Sequence, residues 1–361
     1  MSTLIALSGG VDSSVAAWLL REAGHDLIGV SMQLWNARAH GGHESRCCSP
    51  ADFRDARLLA GRLGFPYYVL DYEQHFESRV VRPFGQEYLD GRTPNPCVEC
   101  NRYLKFGALL ATAERLGAKR LGTGHYTRID RDPATGAYRL RRARDLEKDQ
   151  SYFLYSLGQY ELGRVVFPLG ALLKQQVRDV ARRAGLAVAD KPESQDLCFL
   201  GGRDRISFLS RGGEGALGRP GDIVSSSGQV LGAHRGLARY TVGQRRGLGQ
   251  LSGGPWYVIR LDGPRNQLVV GCEAEQYADV MGVTGVHWVA GGPPAGAREA
   301  LVRIRHAHHP AAAMLEPLPY RRARVRFAER QRAVTPGQAA VFYDQDIVLG
   351  GGRIESSSMS A

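Results

Sequence analysis

The chain contains no run of eighteen apolar residues, so no stretch of it is suited to cross a bilayer as a helix. Its beginning, MSTLIALSGGVDSS, has neither a basic leading segment nor a long apolar stretch, and does not read as a signal peptide. Cysteine is scarce: six in 361 residues do not make a disulfide framework. A reducing, cytoplasmic setting is the expectation, and there cysteines more often serve catalysis or metal binding. There is no 20–50-residue repeat and, apart from the tail ESSSMSA, no low-complexity block. Acidic residues are outnumbered, with 36 Asp and Glu against 47 Lys and Arg, leaving a formal charge of +11. That excess implies a polyanionic partner, nucleic acid before others, with simple solubility as the bland alternative.

The chain opens with Thr3 to Leu7, a short apolar run suited to a buried parallel strand. SGGVDSS follows, and then VAAWLLREAGH, in which Val15, Trp18 and Leu19 recur at helical spacing before Gly24. The loop thus lies between a strand and a helix N-terminus. Gly9 and Gly10 let the backbone approach an anion, Ser8, Ser13 and Ser14 supply hydroxyls, and the helix start supplies N–H groups. No lysine follows the glycines, so this is not a Walker A loop. It resembles the pyrophosphate loop of the ATP pyrophosphatases, and in that likeness Asp12 helps to hold Mg²⁺.

DLIGVSMQLW and FPYYVLDY read as further strands, with a helix, ADFRDARLLAGRLG, between them; KRLGTGHYT reads as a strand ending in a glycine turn. The alternation predicts a Rossmann-like, doubly wound parallel sheet of α/β class, with ligands gathered at the carboxyl ends of its strands. Ser8, Met32 and Gly124 fall there; Met32 is placed either against adenine or in the core.

TPNPCVECNRYLKF carries a helix-start signal, Asn95 as cap and Pro96 as first residue, then two cysteines three apart. Cys97 and Cys100 fall on one side of the helix near its positive end, which favours thiolate. Thiolate serves a nucleophile and a metal ligand alike. Cys47 and Cys48 with Cys97 and Cys100 are one possible zinc set, although adjacent cysteines are poor tetrahedral partners. Cys97, Cys100 and Cys198 are a possible three-cysteine iron–sulfur set. Cys272, in LVVGCEA, reads as a core residue. Cys198, in KPESQDLCFLGGRD, lies in a polar stretch with an apolar centre, as in a loop folding over a site.

Beyond about residue 205 glycine and short strands dominate, and a small mixed central domain is expected. Gln244, Arg245 and Arg246 stand beside glycines there, as phosphate contacts or as a solvated turn. In RRARVRF, Arg322, Arg324 and Arg326 alternate with Ala323, Val325 and Phe327, a strand with one basic face; Arg303 and Arg305 repeat the pattern. Gly/Pro turns between such strands suggest a small C-terminal β-barrel. The expected divisions are residues 1–205, 206–282 and 283–361.

Taken in order, SGGVDSS, GRTPNPCVECN, TGHY, KDQSYFL, SQDLCF, YTVGQRRGLG, PWYV, VTPGQAAVFY and LGGG resemble the tRNA-uridine 2-sulfurtransferases, the bacterial 2-thiouridylases of the MnmA type. The likeness covers nearly the whole chain. It implies ATP-dependent 2-thiolation of the wobble uridine of tRNAs for Lys, Glu and Gln, with ATP and Mg²⁺ as cofactors. Its implied partners are tRNA and a protein that donates persulfide sulfur. Carried over, it makes Cys100 the nucleophile and Cys198 the persulfide carrier, a pair that would end as a disulfide. Ala6, Leu7, Ser8, Gly9, Gly10, Val11, Asp12, Ser13, Met32 and Gly124 would bind ATP. Asn95, Pro96 and Cys97 would meet the target base. His125, Lys148, Asp149, Gln150, Arg305, His306 and Gln338 would touch the tRNA. Two positions depart from the family: Cys97 stands where some members have Asp, and Arg305-His306 where Arg-Tyr is common. A small-molecule adenylating synthetase and a non-catalytic RNA-binding protein are the alternatives, the first having no need of paired Cys100 and Cys198.

Overall fold

The computed structural model describes residues 1–35, 49–192, 197–212 and 217–358. The first strand, β1 (Ser2–Ala6), is followed by α1 (Val11–Glu22), β2 (Asp26–Gln33), α2 (Pro50–Leu63) and β3 (Tyr67–Asp71). Further along, β4 (Arg120–Gly122) and β7 (Val165–Val166) complete a parallel sheet of order β3-β2-β1-β4-β7. Strands β1 and β4 are apolar because both faces are covered: Leu4, Ile5 and Leu121 have no exposed surface. α2 begins where Ser49 and Asp52 form a reciprocal capping box with Pro50 next, and ends at Gly64 in the left-handed region.

Between β4 and β7 the chain leaves the parallel sheet. β5 (Thr127–Arg131) and β6 (Tyr138–Arg142) form an antiparallel hairpin, and Arg141 pairs with Ile347 of the last strand. The alternation of strands and helices gave no warning of this excursion. The expected C-terminal barrel is present and closed: β12 (Tyr277–Trp288), β15 (Arg322–Arg332), β14 (Ala311–Leu318), β13 (Arg298–Arg303), β16 (Ala339–Asp344) and β17 (Ile347–Ser358) neighbour one another in that order, and β12 pairs with β17. Between the two lies a four-stranded sheet of β10 (Tyr257–Asp262), β11 (Gln267–Gly271), β8 (Gly221–Ser225) and β9 (Val230–His234).

One apolar cluster runs from Leu4 and Leu121 of the parallel sheet through Tyr152 to Val341 and Tyr343 of the barrel. The Tyr152 hydroxyl donates to the Ala339 carbonyl at 2.9 Å. Arg303 is not on the solvent face that the alternating arginines suggested: it is 7% exposed and meets the fully buried carboxylate of Asp149 at 3.2 Å. Cys272 is likewise not a core residue. It is exposed, and its N–H is held by Glu275 at 2.8 Å, because the strand ends one residue earlier at Gly271. No helix among the described residues is long and apolar enough to cross a membrane.

Candidate active site

The loop after β1 is shaped by its own hydroxyls. Ser13 Oγ accepts from the Ser8 N–H at 3.1 Å and donates to the Gly10 carbonyl at 3.1 Å, while Ser14 Oγ donates to the same carbonyl at 2.9 Å. No side chain caps the start of α1, where Gly10 is the N-cap. Gly9 adopts φ +68°, and a Cβ there would lie 2.5 Å from the Asp52 carbonyl oxygen, so only glycine fits. Gly124, in the turn after β4, approaches as closely from the other side: a Cβ would meet the Asp12 carbonyl carbon and the Ser13 nitrogen at 2.8 Å. The strand end and the helix start are thus pressed together around one opening.

Two lysines from far along the chain hold this loop, and the loop motif carries no sign of either. Lys174 Nζ donates to both carboxylate oxygens of Asp12, at 2.7 and 2.9 Å, and the Tyr126 hydroxyl donates to the first at 2.7 Å. Lys191 Nζ donates to the Gly9 carbonyl at 2.9 Å, Asp52 at 2.8 Å and Asp55 at 2.7 Å. Burial by itself lowers the pKa of the Lys191 ammonium, but its hydrogen bonds to Asp52 and Asp55 prevail and raise it.

The cysteine helix starts as the sequence predicts, with Asn95 Oδ1 accepting from the Val98 N–H at 3.4 Å and Pro96 first. It does not continue as an ordinary α-helix. Pro96–Glu99 is α-helical, Cys100–Ala108 is π-wound, and α-winding returns over Leu109–Arg115. Wider winding of this kind recurs at functional sites.

A cavity of about 380 Å³ joins these parts. Its wall includes Ala6, Leu7, Ser8, Asp12, Ser13, Met32 and Gly124 together with Pro96, Cys97, Cys100, His125, Gln150 and Cys198. The size suits a small-molecule site. Of the residues expected to bind nucleotide, Gly9, Gly10 and Val11 are not in its wall; they build the turn behind it. Cys198 begins the short turn Cys198–Leu200, anchored by Phe199 against Phe84 and Phe208, ring centroids 5.2 and 5.1 Å apart. Cys100 is 8% exposed, and Cys198 packs against the cluster to which it belongs. The two thiols, 98 positions apart in sequence, therefore face one space. His125 is buried beside Phe106 and Phe167 and shares a 2.8 Å hydrogen bond with Thr123 Oγ1. Burial, with the Lys105 ammonium adding to it, holds its imidazole well below the ordinary histidine range, so it is neutral at pH 7.

The other expected RNA-contact residues scatter. Asp149 is 1% exposed and takes the Ala143 and Ser151 N–H groups as well as Arg142 and Arg303. Its carboxylate is thus committed inside the protein, where it fastens the KDQSYFL segment to the barrel; Lys148 beside it is half-buried. Arg305 and Gln338 line a separate groove of about 460 Å³ with Thr93, Thr241 and Gly243. Gln338 Nε2 donates to the Thr93 and Pro94 carbonyls at 3.0 and 3.3 Å, so the barrel grips the strand of chain that leads into Asn95. The His306 ring stacks on Phe153 at 4.6 Å and 26°. On β15, Arg322, Arg324 and Arg326 are exposed as expected, Arg322 against Glu355 at 2.6 Å and Arg324 against Glu316 at 3.0 Å.

Among the described residues no three of His, Cys, Asp or Glu come together as a metal-holding group. Cys47 and Cys48, one half of the possible zinc set, lie outside the described residues. For Mg²⁺ the donor chemistry at Asp12 fits: one carboxylate at a phosphate-binding turn is the usual protein share of such a site, the rest coming from phosphates and water.

The parallel sheet, with helices packed on it and a cavity at its first loop, is an α/β domain of the HUP class. Residues 1–202 match the family model described as tRNA methyl transferase HUP domain, 208–272 the tRNA methyl transferase PRC-barrel domain, and 278–354 the aminomethyltransferase beta-barrel domain. The tRNA-specific 2-thiouridylase MnmA of Geotalea uraniireducens is 48% identical over 356 residues, 98% of this chain and 94% of that protein. The one of Geobacter metallireducens is 48% identical over 359 residues, covering 98% and 96%. The chain belongs to the tRNA-specific 2-thiouridylase family. Solved structures resemble it more distantly. A 4-thiouridine synthetase–RNA complex with bound ATP has 18% identity and a TM-score of 0.34, covering 56% of this chain and 46% of that one. The NMN synthetase from Francisella tularensis has 19% identity and a TM-score of 0.33, covering 54% and 66%.

Proposed function

We propose that this chain replaces the C2 oxygen of the tRNA wobble uridine with sulfur, at the expense of ATP, in tRNAs for Lys, Glu and Gln. One observation carries the reading: the glycine-serine loop and two thiols from distant segments line a single cavity. A small-molecule synthetase with the same loop has no use for the second thiol.

The C2 oxygen is a poor leaving group, and transfer of AMP to it, with release of pyrophosphate, makes it a good one. The loop after β1 and the start of α1 present N–H groups to the phosphates. Mg²⁺, held by Asp12, would neutralise charge on the departing pyrophosphate. Asn95, Pro96 and Cys97 stand at the start of the cysteine helix, where an extruded base meets the cavity; a single-stranded anticodon base is cheap to extrude.

A protein donor delivers sulfur to Cys198 as a persulfide. The Cys100 thiolate attacks Cys198 Sγ; a Cys100–Cys198 bond forms and the terminal sulfur departs as hydrosulfide. Hydrosulfide adds to C2, AMP leaves with the oxygen, and the proton passes to water. A dithiol reductant then restores both thiols.

The family-model wording speaks of methyl transfer, whereas the relatives are named thiouridylases, and the paired thiols favour sulfur transfer. The test is incubation of unmodified tRNA with ATP, Mg²⁺ and a persulfide donor, followed by nucleoside mass spectrometry. A mass gain of one sulfur for oxygen at the wobble uridine, with one AMP formed per thiolation, is expected. A methylated product, or AMP formed on a free metabolite without tRNA, overturns the reading.

A further inference from the structure

The π-winding of the cysteine helix has a chemical result beyond bending it. In such winding the N–H of residue i+5 bonds to the carbonyl of residue i. Cys100 begins the π-wound segment, and Lys105 lies five residues along it; the wider winding turns Lys105 less far from Cys100 than α-winding does. Under α-winding, five steps of 100° would rotate Lys105 about 140° away from Cys100. Here both line the same cavity.

Lys105 is half-buried, and among the described residues no carboxylate forms an ion pair with it. The charges around it are committed elsewhere. Asp12, across the cavity, is held by Lys174, and Glu99, on the preceding turn, lies 3.7 Å from Arg353. Arg79 and Arg102 lie over the Tyr103 ring. Tyr72, packed in the same apolar cluster as Cys100, shares its hydroxyl with Thr112, and Glu73 takes the amide of Gln33. Besides Lys105 and Cys100, the titratable groups that share the cavity wall are Asp12, His125, Cys97 and Cys198. Cys100 is the fifth residue of the helix that starts at Pro96, beyond the first turn where the helix dipole acts strongly. An ammonium with no carboxylate partner, five residues along a π-wound segment from a buried sulfur and in the same cavity wall, is suited to stabilise a thiolate.

We propose that Lys105 is a positioning residue that keeps Cys100 in the thiolate form, and that the π-wound segment exists to bring the two side by side. This rests on the reading of Cys100 as the attacking thiol. The chemistry of the step is unchanged: the electron pair on Cys100 Sγ forms the new S–S bond, and Lys105 keeps its proton throughout.

The test uses the reduced full-length protein without ATP or tRNA. Iodoacetamide alkylation is followed by peptide mass spectrometry from pH 5.5 to 10 in wild type, Lys105→Met and Lys105→Arg. The Cys100 midpoint should rise by about one pH unit in Lys105→Met, making alkylation about tenfold slower at pH 7. Lys105→Arg should restore most of the shift, and exposed Cys272 should alkylate alike in all three. An unchanged midpoint in Lys105→Met, or equal failure of the Met and Arg variants, overturns the proposal. The thiol readout needs no turnover, so it stands apart from the function itself; that reading fails on its own if Cys100→Ser still thiolates tRNA.

Discussion

Lys174 embraces Asp12 through both carboxylate oxygens, at 2.7 and 2.9 Å, across 162 positions of sequence. The same carboxylate faces the cavity and is the one suited to Mg²⁺. A metal ion bound there would compete with the ammonium for it. Lys174→Met should lower the Mg²⁺ concentration needed for half-maximal ATP–pyrophosphate exchange severalfold. An unaltered Mg²⁺ requirement would show that Asp12 is not the metal's carboxylate.

Gly124 allows the turn after β4 to touch the backbone of Asp12 and Ser13. Gly124→Ala places a methyl 2.8 Å from two main-chain atoms, which cannot swing aside as a side-chain tip would. Overpacking of this kind costs about 1–3 kcal/mol. ATP affinity by calorimetry should fall at least about tenfold, equivalent to about 1.4 kcal/mol. Wild-type affinity in this variant would mean that the nucleotide does not use the gap between the two elements.

The two thiols are expected to differ in chemistry although they share a cavity. Neither Cys100→Ser nor Cys198→Ser should form thiouridine. Protein-bound persulfide, mapped by mass spectrometry after loading from the donor, should vanish only in Cys198→Ser. Persulfide on Cys100 in that variant would reverse the assignment.

Buried histidines give stability a defined pH response. Burial, reinforced by Lys105, keeps the folded His125 well below its unfolded value of about 6.5. The unfolded chain then binds the proton more readily, so the contribution is complete above about pH 6.5 and declines as pH falls below it. His287, His306 and His308 are depressed in the same sense, each first by burial. Urea unfolding at pH 7.5 and 5.5 should show a loss of stability that is smaller in His125→Gln. An equal loss in both proteins would exclude His125 as a contributor.

RNA affinity should depend steeply on salt. Six to ten phosphate contacts correspond to a fall of about 10³–10⁵ between 50 and 200 mM salt. Arg305 is exposed at the mouth of the groove shared with Gln338, and Arg305→Ala should reduce the salt slope by about one. Arg322 and Arg324 already meet Glu355 and Glu316, so their removal should matter less. A slope unaffected by Arg305→Ala would move the contact elsewhere on the basic surface.

The parts of this protein set by local rules were legible in the chain. A capped turn with Asn95 and Pro96, an apolar strand before a glycine-serine loop, and alternating Arg322 to Phe327 each carry their geometry in a few consecutive residues. Arg303 misled because period-two alternation says which residues share a face but not which face is buried. The burial of Asp149 had no local signature, because the Arg303 that neutralises it comes from the barrel. Lys174 and Lys191 had no local signature, since their partners lie in the first 55 residues.

The sequence alone determined the class of the first domain, the anion-binding turn, the helix that displays Cys97 and Cys100, and the barrel at the end. All of these follow from backbone preferences and apolar periodicity over short spans. Only the tertiary structure decided that Cys198 shares a cavity with Cys100, that Lys174 guards Asp12, and that the cysteine helix is π-wound where Cys100 and Lys105 line that cavity. Those outcomes depend on which distant surfaces bury one another, and packing between distant segments leaves no period in the chain to read.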